Sequence, residues 1–387
     1  MDQRTNKLLF SLLRSAICGE KIKSKEMQLF SDEILKTIFT VTKRHDVLHM
    51  AAFALKKNEL TNNYSTAIEK SMLTAAFRYR QLSYECESIC HVFENSKIPF
   101  MPLKGSILRQ YYPEPWMRTS CDIDILVHED DTERAKSVLE SELEYTYKSS
   151  GSHDLSFFSP SNIHLELHYN LVEDGIASES SAVLKSVWDT AIRRDGFEFC
   201  YDMPDEMFYF YHIAHMAKHF ENGGCGIRPF IDLWILDNLN SADTEKRNAL
   251  LGSGNLLKFA NVARKLSRVW FEEEEYDSLS KEMEDYILRG GVYGNSQNRI
   301  TLQQQKKGGK LRYAISKIFL PYDAIKFHYP ILQKHKWLTP FMQVRRWFKL
   351  IFCGGAKRSI NELKYNSSVS KEQADRANQL LINIGLK

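Results

Sequence analysis

The segment Cys121-Asp122-Ile123-Asp124-Ile125-Leu126-Val127 constrains this chain more than any other. It has the composition of a strand, and strand alternation places Asp122 and Asp124 on one face, with Ile123 and Ile125 on the other. Two carboxylates side by side repel, and neither can be buried without a counter-charge. An apolar strand with acids at two same-face positions needs a cation. Hard oxygen ligands of this kind suit Mg²⁺ or Mn²⁺.

A second segment, Ile163-His164-Leu165-Glu166-Leu167-His168-Tyr169, has the same period. Leu165 and Leu167 face a core, while His164, Glu166 and His168 share the opposite face. If this strand pairs beside the first, Glu166 completes a cluster of three carboxylates. Such a cluster can hold two metals that clamp the attacking and leaving oxygens of a phosphoryl displacement. Glu166 is also the natural group to help deprotonate an attacking hydroxyl. A third segment, Pro102-Leu103-Lys104-Gly105-Ser106-Ile107-Leu108, predicts a strand, a Gly-Ser turn and a helix start. Glycine lets backbone approach a phosphate, and a helix N-terminus offers N–H groups and a favourable dipole. Ser106 adds a hydroxyl, and Lys104 and Arg118 add positive charge. His168 is the imidazole best placed to touch phosphate, metal or acceptor.

The rest of the chain sets these segments in a helical frame. Residues 1–97 show apolar spacing of three and four, as in Met27 to Phe39 and Ser65 to Phe93, with almost no Gly or Pro. The pattern changes at Lys97-Ile98-Pro99. Strands are predicted over Phe100 to Leu103, Asp122 to Val127, Leu155 to Phe158 and Ile163 to Tyr169. Helices are predicted after Gly105 and over Asp131 to Leu143, with Asp130 or Asp131 as N-cap. Helical patterning returns from about Ala182, with a start at Pro204-Asp205-Glu206 and another helix around Asp232 to Leu239. Two soft spots interrupt it, Gly223 to Gly226 and the polar stretch Gly290 to Gly309. The fold class is therefore α+β: a small mixed-sheet module flanked by N- and C-terminal helical regions. The boundaries read as 1–97, 98–175, 176–290 and 291–387.

Composition narrows the class. With 43% hydrophobic and 26% charged residues the chain is neither disordered nor fibrous, and a net charge of +3 implies no partner by itself. No apolar run reaches the roughly 18 to 20 residues of a membrane span. Arg14 interrupts Leu8-Leu9-Phe10, so a signal peptide is not expected. The seven cysteines (18, 86, 90, 121, 200, 225 and 353) are scattered without zinc-type pairing, and Cys86 and Cys90 lie one helical turn apart as buried or half-buried thiols. A reduced, cytoplasmic protein is the expectation.

The run from Leu103 to Val127, with Lys-Gly, Tyr112-Pro113, Arg118 and Asp-Ile-Asp-Ile-Leu-Val, resembles the uncharacterised nucleotidyltransferase family of the polymerase-β-like superfamily. Glu166-Leu167-His168 is similar to its third-carboxylate strand, with Glu where Asp is more frequent in the superfamily. Gly226-Ile227-Arg228 with Asp232, and Pro321 through Tyr329-Pro330, are similar to its helical C-terminal half. The resemblance implies transfer of an NMP from an NTP to an acceptor hydroxyl or phosphate, with release of pyrophosphate. Asp122 and Asp124 would hold both metals and Glu166 the catalytic one. Lys104, Gly105, Ser106, Arg118 and His168 would meet the nucleotide, ATP or another NTP. A small molecule, glycan precursor, peptide or protein is expected as acceptor rather than nucleic acid, since no RNA-binding module is recognisable. A degenerate nucleotide-binding scaffold and a nucleic-acid end-adding enzyme are the alternatives.

Three further features need assignment. His212, His215 and His219 share a helix face beside Lys218; no acid or Cys at suitable spacing completes a zinc site, and a face turned toward nucleotide or acceptor competes with plain packing. Arg228 and Asp232, one turn apart, read as an ordinary intrahelical ion pair. Residues 306–358 hold thirteen Lys/Arg (306, 307, 310, 312, 317, 326, 334, 336, 345, 346, 349, 357 and 358) against one acid, Asp323. Tyr313, Phe319, Tyr322, Phe327, Tyr329, Trp337, Phe341, Trp347 and Phe348 are interleaved with them. The preferred reading is a basic outer face over buried aromatics, ahead of contact with an anionic membrane or glycan surface, and ahead of nucleic acid.

Overall fold

Leu8, Leu9, Leu12, Leu13 and Ile17 recur at helical spacing, and the helix Gln3–Ile17 buries that stripe. Asp2 caps it by accepting a hydrogen bond from the N–H of Thr5. A computed structural model of the chain describes residues 2–61, 64–172, 177–239, 243–352 and 356–387. Cys353, the predicted boundary at 175, and the side chains of Phe327, Lys357 and Arg358 lie outside the described residues.

The first helices (Gln3–Ile17, Asp32–Arg44 and Leu48–Lys57) do not pack only on themselves. They share one core with Asp205–Glu221, Arg228–Asp237, Leu257–Phe271 and Ser278–Leu288, which come some 200 residues later. Phe10 stacks on Trp270 with ring centroids 4.2 Å apart, and the Asn6 amide donates to Glu284 at 2.8 Å. Non-local packing of this kind joins the two ends of the described helical frame.

Between them lies a five-stranded sheet: β1 (Phe100–Pro102), β2 (Asp122–Val127), β3 (Thr146–Ser150), β4 (Asp154–Phe158) and β5 (His164–His168), in spatial order β1-β2-β5-β4-β3. β2 and β5 are parallel and the other neighbours antiparallel, so the sheet is mixed. Parallel neighbours need a crossover. Here it is the helix Thr132–Glu142 followed by the β3–β4 hairpin. One sheet face buries Ile123, Ile125, Leu165 and Leu167 against Ala135 and Leu139 of that helix and Ile89 and Phe93 of the long helix Ser65–Asn95. The α+β class is therefore borne out, and the acids are left on the opposite face.

Several expectations need correction. β3 was not anticipated, because Thr146-Tyr147-Lys148-Ser149-Ser150 is mostly exposed at the sheet edge and lacks apolar alternation. Asp131 stands at the N-cap position of Thr132–Glu142 without a side-chain cap bond; a 3₁₀ turn leads into that helix instead. The stretch 290–309 contains a helix, Ser296–Lys306, held by buried Ile300 and Leu302 and capped by Asn295. Its glycines have a packing role. Gly294 (φ +69°) lies so close to the carbonyls of Gly223 and Gly224 that a Cβ would stand 2.4 Å or less from them. The Gly226 and Asn295 N–H groups donate to Val292 and Gly223 carbonyls across the same contact. The two soft spots are thus the two halves of one close backbone approach.

The preferred reading of the basic C-terminal region also fails. Of its described aromatics only Tyr313 is buried; Trp337, Phe341, Phe348 and Phe319 are more than half exposed. Among the described residues no helix is long and apolar enough to cross a membrane.

Candidate active site

Parallel pairing of β2 with β5 sets Asp122 opposite His164 and Asp124 opposite Glu166. Side chains at paired positions project to the same face. Three carboxylates and the His168 imidazole therefore converge at the floor of a cavity of about 470 Å³, with His164 beside Glu166 outside its lining. Donor atoms of Asp122, His164 and Glu166 lie within 4.8 Å of one another, as do those of Asp124, Glu166 and His168; Glu166 belongs to both sets.

Lys104 reaches this floor from the end of β1. The Leu103 N–H donates to the Asp124 carbonyl, and Lys104 then turns at φ +43°, a left-handed conformation uncommon for a residue with a Cβ. Its Nζ donates to Oδ1 of Asp124 at 2.8 Å. His168 brings Nε2 to 2.9 Å from the same oxygen and 3.5 Å from Oε2 of Glu166.

These contacts set the charge states. Burial opposes ionisation of Asp124, but Lys104 and His168 outweigh it and hold the carboxyl well below its usual range. Burial also disfavours charge on Lys104 and His168, yet Asp124 raises both, with Glu166 adding to the rise. Glu166 is lowered, chiefly by its hydrogen bond from His168. Asp122 goes the other way, pushed up by burial and then by repulsion from Asp124 and Glu166. The protein's own cations neutralise one side of the trio and leave Asp122 under-compensated. A hard divalent cation would relieve that strain, and the donor set of carboxylates with flanking imidazoles fits one.

The opposite wall is the helix Asp205–Glu221. Phe208, Tyr211, His212, His215, Met216 and His219 line the cavity at spacings of three and four. His212 Nε2 meets the Pro229 carbonyl at 2.9 Å, and His215 and His219 approach each other at 3.3 Å. Burial and neighbouring Lys104 drive His215 well below its ordinary value; burial, Lys218 and Lys104 take His219 down to about 4. These rings are neutral walls, and no metal-holding set among the described residues includes them.

Not every predicted residue joins the cavity. Lys104, Gly105, Arg118 and His168 line it, whereas the Ser106 hydroxyl lies 3.8 Å from Cys86 on the far side of the turn. Ser106 and Ile107 N–H groups already donate to Leu103 and Lys104 carbonyls, and the helix Gly105–Leu108 spans four residues. Ser120 presents the hydroxyl on the cavity side, 3.0 Å from the Asp122 carbonyl. Arg118 is buried and donates to Asp232 at 2.7 Å, where Tyr112 also donates at 2.6 Å. The intrahelical Arg228–Asp232 pair does not exist: Arg228 turns instead to Asp46, at 2.9 Å, and to the Thr119 carbonyl. Sequence reasoning also missed His45, Asp46, Ser120 and Tyr293 on the cavity wall. Only the Phe208–His219 stripe carried a periodic signal for its extra members.

The sequence model of the uncharacterised nucleotidyltransferase family matches residues 33–272, most of the chain and all of the acidic floor. The chain belongs to this family. As a member it is a transferase of phosphorus-containing groups, and its acidic cluster fits a metal-dependent site. No curated protein and no solved structure matches it.

Proposed function

We propose that the protein transfers an NMP from an NTP, with Mg²⁺ or Mn²⁺, to the hydroxyl or phosphate of a small molecule, glycan precursor, peptide or protein. The observation that carries this reading is the register that sets Asp124 opposite Glu166, two residues along from Asp122. A divalent ion bound by these three acids would supply charge neutralisation of the polyphosphate and of the oxygens at the reacting phosphorus. The acceptor oxygen attacks the α-phosphorus, the bond to the bridging oxygen breaks, and pyrophosphate leaves. Glu166, whose side chain is 29% exposed against 6% for Asp124, receives the acceptor's proton. Lys104 offsets phosphate charge, Gly105 permits close approach of the chain, and Ser120 offers a hydroxyl on the cavity side, 3.0 Å from the Asp122 carbonyl. His168 holds the two carboxylates it bridges in place. Arg118 contributes through Asp232, which it holds in place on the cavity wall.

The test is pyrophosphate release with each NTP, Mg²⁺ or Mn²⁺ and a cell extract as acceptor source, compared with Asp124→Asn. Release by the parent protein and its loss in the variant support the reading. Nucleotide binding without release assigns the chain to a degenerate scaffold, and label transferred to an RNA pool assigns it to nucleic-acid end addition.

A further inference from the structure

The helix Thr339–Phe352 leaves Phe341, Val344, Phe348, Ile351 and Phe352 exposed, between 44% and 78%. At 100° per residue these five fall on one arc, with Arg345 and Lys349 along its edge. The helix Lys310–Ile318 repeats the design: Leu311, Ile315 and Ile318 are exposed, opposite buried Tyr313, and Arg312 and Lys317 flank the stripe. The two helices are joined at one end. Trp347 and Arg346 donate to the Ile318 carbonyl, and Phe319 meets Trp347 edge-on with centroids 5.2 Å apart. Trp337, 69% exposed, precedes the second helix and contacts Phe341.

We propose that these two helices dock the protein on an anionic lipid bilayer, lying in the plane of its surface. Exposed apolar stripes of this size ask for a partner, and an apolar arc edged by Lys and Arg fits a headgroup–acyl boundary. Charge selects among partners. Arg312, Arg345 and Lys349 have no carboxylate partner among the described residues, and residues 306–358 contain one acid. A second copy of the chain would bring the same positive field against itself. Exposed Trp337, Phe341, Phe348 and Phe352 would stack on bases, but Leu311, Ile315, Val344 and Ile351 would not, whereas acyl chains take both halves of the stripe. Phosphate-bearing lipids satisfy both the stripe and the charge.

The test is flotation of the full chain with vesicles of phosphatidylcholine, with and without phosphatidylglycerol. The chain floats with the anionic vesicles and not with the neutral ones, and added salt weakens the association. Arg345→Ser and Lys349→Ser each lower partitioning about fivefold. Phe341→Ser combined with Phe348→Ser abolishes it, while circular dichroism and nucleotide turnover stay unchanged. Failure to float with anionic vesicles overturns the proposal. So does equal flotation of the double Phe variant, or a concentration-dependent dimer or RNA complex formed through this face without lipid binding.

Discussion

Lys104 and Asp124 stand 2.8 Å apart, and the ammonium covers the very oxygen that His168 also contacts. The protein thus carries its own monovalent substitute for a divalent ion. Lys104→Met removes that competitor while leaving a side chain of similar length. Mn²⁺ affinity, followed by electron paramagnetic resonance, should rise about tenfold, because a near-contact positive charge is lost from the site. Nucleotide turnover should fall at least about a hundredfold, since polyphosphate charge is no longer offset. Unchanged metal affinity would show that the ammonium and the ion do not compete.

Asp124→Asn and Glu166→Gln each remove a charge that the proposed metal site requires. Each should lower pyrophosphate release by about 10³-fold or more, and the double variant should be little worse than either single one. Additive losses would mean that the two acids do not act on one centre.

Gly105 adopts no left-handed backbone conformation, and a Cβ built there would come no nearer than 3.4 Å to the Ser120 side chain. Neither backbone geometry nor packing demands glycine at this point, and the proposed approach of nucleotide to the chain here supplies a reason for it. Gly105→Ala should keep thermal stability within a few degrees, about 1 kcal/mol, while the KM for NTP rises about tenfold. A large loss of stability with normal KM would assign the glycine to folding.

Two arginines on the same wall should behave differently. Arg118 and Asp232 are both buried, so Arg118→Met leaves an uncompensated carboxylate and should cost about 3–5 kcal/mol in urea denaturation. Arg228 pairs with Asp46, which is 44% exposed, and Arg228→Met should cost no more than about 1 kcal/mol. Equal losses would contradict the burial contrast.

His45 is fully buried on the cavity wall, and burial beside Arg44 takes it from its ordinary value of 6.5 down to about 4. The folded protein therefore keeps it neutral where the unfolded chain binds a proton. Its stabilising contribution is complete above about pH 6.5 and is lost as pH falls from there toward 4. The loss should approach roughly 3 kcal/mol near pH 4. His45→Gln should make the acid limb of the urea midpoint against pH shallower; an unaltered limb would sink the assignment.

The acidic floor was legible because a period of two is a local property. Once Asp122, Asp124 and Glu166 share one parity with apolar neighbours on the other, any pairing in register brings them together. What stayed hidden depends on contacts between distant segments. Arg228 and Asp232 sit at ideal helical spacing, yet each finds a partner more than 100 residues away. His45 and Tyr293 reach the cavity because the glycine contact between 223–226 and 290–294 fixes the wall behind them. β3 was missed for a different reason: an exposed edge strand needs no apolar repeat to form. In the basic C-terminal stretch composition gave the charges and rings, but not which way the rings point.

The stacking of Phe10 on Trp270 carries a practical consequence. A fragment trimmed to residues 98–175 would keep all three acids and still lack the lid of its own reaction vessel. The helix that roofs the acids is anchored through a core to which the first turns of the polypeptide contribute. Excision of the sheet alone is therefore closed to this architecture, and a nascent chain can complete that core only after residues as late as Ile384 have emerged.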